Sequence, residues 1–146
     1  AAAVMHKPKL LFLDEPTSGL DPNQLVDIRA LIKKLGEEKT VIFSTHIVED
    51  VKELCNDMAI MNHGKILLQE KPNTATDNLK NKIWKTTIQP TELEKMETDF
   101  QVLSSNYNPD NSMNIRVFSE RKPSEKFVVV EPQLDDVYFS TLMKNL

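Results

Sequence analysis

The sequence predicts an α/β fold in two parts: a parallel sheet with flanking helices over residues 1–71, then a small α+β domain over residues 72–146. Two continuous apolar runs, Leu10–Leu13 and Thr40–Phe43, read as strands covered on both faces, as in a parallel sheet. Each run is followed by apolar residues at helical spacing, so the order is strand–helix–strand–helix with a right-handed crossover. Beyond Lys71-Pro72-Asn73 the pattern changes to short strands with interleaved helices.

The elements follow in order. After the first strand, Asp21 stands where an N-cap belongs, Pro22 suits the first helical position, and Gln24 completes a capping box. Leu25, Ile28, Leu31, Ile32 and Leu35 form the inner face of that helix, and Gly36 is expected to end it. The second strand leads to a helix over Ile47–Cys55 with Ile47, Val51 and Leu54 inward. Met58–Met61 and Lys65–Gln69 read as a hairpin closed by Asn62-His63-Gly64, which makes His63 a turn residue rather than a ligand. His6 sits in a polar connector with no evident partner. A short helix near Thr74–Leu79 and a strand at Ile83–Ile88 come next. A helix over Thr91–Glu97 is expected to be capped by Thr91 with Glu94. Phe100–Ser104 and Met113–Phe118 flank an Asn-Pro-Asp-Asn turn, Phe127–Val130 is a further strand, and a last helix runs from about Gln133 to Lys144. Its face carries Leu134, Val137, Tyr138 and Leu142.

Composition narrows the class. Apolar residues make up 40% and charged residues 27% of 146 positions, as in ordinary globular proteins. No apolar run reaches the roughly 18 residues that a membrane-spanning helix needs. The net charge of −4 gives no electrostatic case for nucleic acid, and Lys80, Lys82 and Lys85 read as a solvated face. The single cysteine, Cys55, excludes an internal disulfide and reads as a small buried apolar residue.

The chemistry concentrates at the ends of the first two strands. Asp14 and Glu15 close the first, and Ser44-Thr45-His46 closes the second. In open α/β sheets the carboxyl ends of the strands are where ligands bind. Phosphoryl transfer to water needs charge neutralised on the phosphates and a water aligned with the leaving group. Neighbouring strand residues point to opposite faces, so Asp14 and Glu15 take different roles. Asp14 suits a Mg²⁺ ion, Glu15 the attacking water, and His46 the γ-phosphate and that same water. Pro16 ends the strand, and Thr17-Ser18-Gly19 turns the backbone ahead of the Asp21 cap.

These residues closely resemble the ATP-binding-cassette (ABC) ATPases, a branch of the P-loop NTPases. Leu10–Asp14 is similar to their Walker B strand, Glu15 to the catalytic glutamate, Ser18–Asp21 to the D-loop and His46 to the switch histidine. The resemblance covers about Ala1 to Gln69. It implies ATP and Mg²⁺ as cofactors, with Asp14, Ser18 and Asp21 toward the nucleotide and Asp21 also at an intersubunit contact. It further implies a transmembrane permease partner, a second ATP-binding subunit docked head to tail, and a peripheral place on the cytoplasmic face of the membrane. The segment Glu131-Pro132-Gln133-Leu134-Asp135-Asp136-Val137-Tyr138 is similar to the Pro-x-Leu-Glu-Asp-Val-Phe pattern of export-type subunits.

Other family elements are missing from the sequence. Only Gly19, Gly36 and Gly64 occur, and none precedes a Lys-Ser or Lys-Thr pair, so no Walker A loop is present. The Leu-Ser-Gly-Gly-Gln signature is missing too, and Ala1–Met5 reads as the end of the helix that follows it in the family. The expectation is a C-terminal part of the ATPase domain that is catalytically incompetent alone and prone to self-association through uncovered sheet edges. Two alternatives stand beside it: a non-catalytic regulatory or dimerisation module, and a cassette ATPase of DNA repair or chromosome maintenance.

Overall fold

The computed structural model describes residues 8–145. Ala1–Met5 and His6 therefore lie outside the described residues. The chain divides into two units, one through Asn56 and one from Asp57. The sequence-based boundary at 71/72 instead followed the change of register, which the chain reaches only after the β-hairpin of the second unit.

In the first unit, β1 (Leu10–Asp14) pairs in parallel with β2 (Thr40–Ser44), in the register Leu10↔Thr40 through Asp14↔Ser44. Helix α1 (Pro22–Glu38) connects them and α2 (Val48–Leu54) follows β2. The expected cap is present: Asp21 accepts from the backbone N–H of Asn23 and Gln24, and Gln24 reaches back to the Asp21 N–H.

Two expectations are corrected here. Gly36 does not stop α1, which continues to Glu38 and closes with the Lys39 N–H on the Leu35 carbonyl. A glycine inside a helix costs only about 1 kcal/mol, and it ends one only where a left-handed φ is adopted. The strands are also not covered on both faces. Leu11 and Ile32 are buried, but Phe12 is 68% exposed and its register partner Ile42 is 49% exposed.

The second unit opens with the hairpin β3 (Met58–Asn62) and β4 (Lys65–Glu70). His63 and Gly64 both take positive φ, +46° and +74°, as a two-residue primed turn requires. The turn role of His63 is met. Helix α3 covers Pro72–Asp77, slightly ahead of the expected Thr74–Leu79, because Pro72 occupies its first position.

A four-stranded antiparallel sheet follows, in the order β6-β7-β5-β8, from β5 (Ile83–Ile88), β6 (Gln101–Tyr107), β7 (Met113–Phe118) and β8 (Val128–Val129). Between β5 and β6, a 3₁₀ turn at Pro90–Glu92 runs into α4 (Leu93–Asp99). The capping box is Gln89 with Glu92, not Thr91 with Glu94, since Pro90 starts the helical turn one residue earlier than expected. Ile88, Val102, Met113, Ile115, Val117 and Phe127 pack into one apolar core. Phe100 meets Phe127 edge to face at 5.3 Å.

Helix α5 (Leu134–Met143) is locked to this sheet by a buried ion pair. Arg116 of β7 donates from Nε and Nη2 to the two carboxylate oxygens of Asp136, at 2.9 and 2.6 Å. Asp136 also accepts from the Gln133 N–H, capping the helix it belongs to.

Candidate catalytic site

The parallel register sets the site. Because Asp14 stands beside Ser44, the loops that leave β1 and β2 start side by side. Ser44 Oγ donates to Asp14 Oδ1 and accepts from the Glu15 N–H at 3.2 Å, so one hydroxyl bridges both strand ends. The Glu15 N–H also donates to the Ser44 carbonyl at 3.1 Å. Two residues past Ser44, His46 Nδ1 lies 2.7 Å from Glu15 Oε2. An ionised carboxylate only accepts, so in that pair Nδ1 carries the proton and Nε2 is left for another partner. The sequence expected Glu15 and His46 to converge on one water, and the structure brings them into direct contact.

Glu15 pays for this geometry in its backbone. Its φ of +46° lies in the left-handed region, which a residue with a Cβ enters only at a cost. The turn that results points the chain into Pro16-Thr17-Ser18, with the Ser18 N–H on the Glu15 carbonyl at 3.1 Å. Ser18 and Asp21 are both exposed, and the Asp21 carboxylate is engaged in capping α1.

Asp14 is exposed and its Oδ1 is engaged with Ser44. Among the described residues no group of three or more His, Cys, Asp or Glu gathers around a point. A single carboxylate, with phosphate oxygens and water completing the shell, is the donor set by which Mg²⁺ is commonly held in nucleotide sites. Asp14 therefore fits that ion.

Beneath these groups lies a polar cluster that sequence reasoning missed. Asp50 of α2 is fully buried, with its carboxylate facing Thr17, Arg29 and Thr45. Arg29 also reaches Glu53 at 3.2 Å. A signal was available: Asp50 falls three residues after Ile47 and four before Leu54, on the inward face of its helix, and Arg29 lies four after Leu25 on α1. Opposite charges on two facing inner stripes announce a buried pair. Cys55, expected to be buried, is half-buried, and its thiol is pushed up from 9.0 to about 11 by burial and then by the Asp50 charge.

Adjacent parallel strands that end in Asp-Glu and Ser-Thr-His define a mixed α/β segment of the P-loop ATPase kind. A family model described as "AAA domain, putative AbiEii toxin, Type IV TA system" matches residues 1–49. The chain is 30% identical over 150 residues to the uncharacterized ABC transporter ATP-binding protein YhcH of Bacillus subtilis, covering 100% of this chain and 47% of that protein. It is 43% identical over 74 residues to the bacitracin transport ATP-binding protein BcrA of Bacillus licheniformis, covering 49% of this chain and 24% of that one. The methionine import ATP-binding protein MetN 2 of Shouchella clausii is 48% identical over 71 residues, which are 47% of this chain and 21% of that protein.

The homologues of this chain are ABC transporter ATP-binding proteins. The chain spans less than half the length of each of these relatives.

Proposed function

We propose that this chain supplies the water-side half of the ATP-hydrolysing site of an ABC transporter ATP-binding subunit. The 2.7 Å contact between His46 Nδ1 and Glu15 Oε2, at the ends of adjacent parallel strands, is the observation that carries this reading. Glu15 orients the attacking water and takes up its proton, while His46 holds the Glu15 carboxylate in place through Nδ1 and, when the ring carries a proton on both nitrogens, donates from Nε2 to the γ-phosphate. Asp14 holds Mg²⁺, which offsets charge on the phosphates. Ser18 and Asp21 stand on the loop that faces a second ATP-binding subunit, with Asp21 also capping α1. The subunit works at the cytoplasmic face of the membrane beside a permease. Among the described residues no helix is long and apolar enough to cross a membrane.

The phosphate grip is not encoded in this sequence, so the 146-residue chain alone is inactive. Titration of the chain with Mg-ATP should show no saturable binding in the micromolar range, and binding there overturns this point. In the intact subunit, Glu15→Gln should lower turnover by at least about 100-fold, the usual contribution of a positioned general base, while Mg-ATP binding persists. Undiminished hydrolysis in that variant defeats the assignment.

Export is the direction we favour, on the strength of the Glu131–Tyr138 pattern. Uptake of substrate by inside-out vesicles bearing the intact transporter would agree with export, and ATP-driven movement the other way would refute it.

A further inference from the structure

Asp50 is a buried carboxylate that the proposed chemistry does not use. It is 0% exposed, and each of its oxygens is engaged. Oδ1 accepts from Arg29 Nε at 2.9 Å and from Arg29 Nη2. Oδ2 accepts from Thr17 Oγ1 and, at 3.4 Å, from Thr45 Oγ1. Thr45 Oγ1 in turn accepts from the Ile47 N–H at 3.0 Å, at the start of α2.

The positions of the two threonines give this cluster its meaning. Thr17 lies two residues after Glu15, and Thr45 one residue before His46. A single carboxylate thus ties together the two loops that bear the Glu15–His46 contact. Arg29 supplies the positive charge that makes its burial tolerable, since an unpaired buried carboxylate is strongly disfavoured. If the cluster existed only to pair α1 with α2, the Arg29–Asp50 bond would be enough and the threonine bonds idle. Thr17 is itself 98% enclosed, with its hydroxyl on Asp50 (2% exposed).

We propose that Asp50 is a positioning residue, whose carboxylate sets the distance between Glu15 and His46 by holding the loop after each strand. This inference rests on the assignment of Glu15 to water activation. Misplacement of a reacting group by about 1 Å costs on the order of 100-fold in rate, so a loosened loop should show in kcat.

The test uses the intact ATP-binding subunit. Thr17→Val keeps the shape and removes the hydroxyl; it should lower kcat about 10- to 100-fold with KM for ATP changed less than about threefold. Thr17→Ser should restore the rate relative to Thr17→Val. Asp50→Asn should lower kcat at least as much, and in a Glu15→Gln background neither substitution should lower the residual rate further.

Normal kcat in Thr17→Val, with Glu15→Gln inactive, overturns the positioning role and leaves the Glu15 assignment standing. Full activity in Glu15→Gln overturns the underlying assignment instead. Should Asp50→Asn fail to fold, the Thr17 pair still decides.

Discussion

The interiors of the two units differ in their balance of apolar and polar groups. Among the described residues of the first, the enclosed side chains are Leu11, Ile32, Thr17 and Asp50, so half of them are polar, and apolar residues such as Phe12, Val26 and Ile42 face outward. In the second, Ile115 and Val117 are completely buried within an apolar core, and Ile83 is completely buried as well. The first holds its loops by directed bonds to one carboxylate, and it is the first that carries Asp14, Glu15 and His46. Apolar packing is non-directional, whereas a carboxylate that accepts from named hydroxyls fixes particular loops in particular places. The 2.7 Å contact on which the proposed chemistry depends therefore lies in the less apolar unit.

This contrast can be broken by experiment. The largest stability effect should come from Ile115→Ala, which leaves a cavity in the apolar core and should cost about 2–5 kcal/mol. Urea denaturation followed through Trp84, the only tryptophan, reads the second unit directly. If hydrogen exchange at the amides of α1 and α2 shows the first unit unfolding in the same shifted transition, the two units are one cooperative body and the contrast fails.

A smaller effect is expected from Asp21→Ala, about 1 kcal/mol for a lost N-cap. It should appear as faster hydrogen exchange at the Asn23 and Gln24 amides, with the Trp84 transition unmoved. A shift in that transition would show that the cap supports both units.

The finest probe is Cys55. Burial and the Asp50 charge keep its thiol protonated until pH rises toward about 11, so the pH profile of its alkylation in the folded chain should have its midpoint there rather than near 9.0. Below that midpoint the thiol is neutral and reacts slowly. Asp50→Asn removes the charge and should move the midpoint down. An unmoved midpoint would mean that burial alone sets the thiol, and that the Asp50 charge is not felt at the residue that closes its helix.

How much of this was legible in the sequence depended on whether a signal was local. The Asp21–Gln24 capping box, the His63-Gly64 turn and the strands Ile83–Ile88 and Met113–Phe118 were, because each is determined by a few neighbouring residues. Competition between neighbouring signals decided the failures. Gly36 was overridden by continuing helix, and Thr91 was displaced as a cap once Pro90 opened the turn.

The Asp14–Ser44 and Asp50–Thr17 bonds span 30 and 33 positions and depend on the β1–β2 register, which no local pattern states. The tail pattern teaches a different lesson. Pro132, Leu134, Asp136 and Val137 are all buried, and Asp136 both caps α5 and pairs with Arg116, so the residues of the motif also dock one helix.

The left-handed backbone at Glu15 has a consequence for anyone improving this protein in the laboratory. Glycine at that position would relieve a conformational cost on the order of 1–2 kcal/mol, and asparagine would relieve part of it. A selection that rewards heat resistance alone would therefore drift toward the residues that discard the carboxylate. On the proposed role of Glu15, library screens of the intact subunit need a turnover step in every round, or the most thermostable winners will be silent.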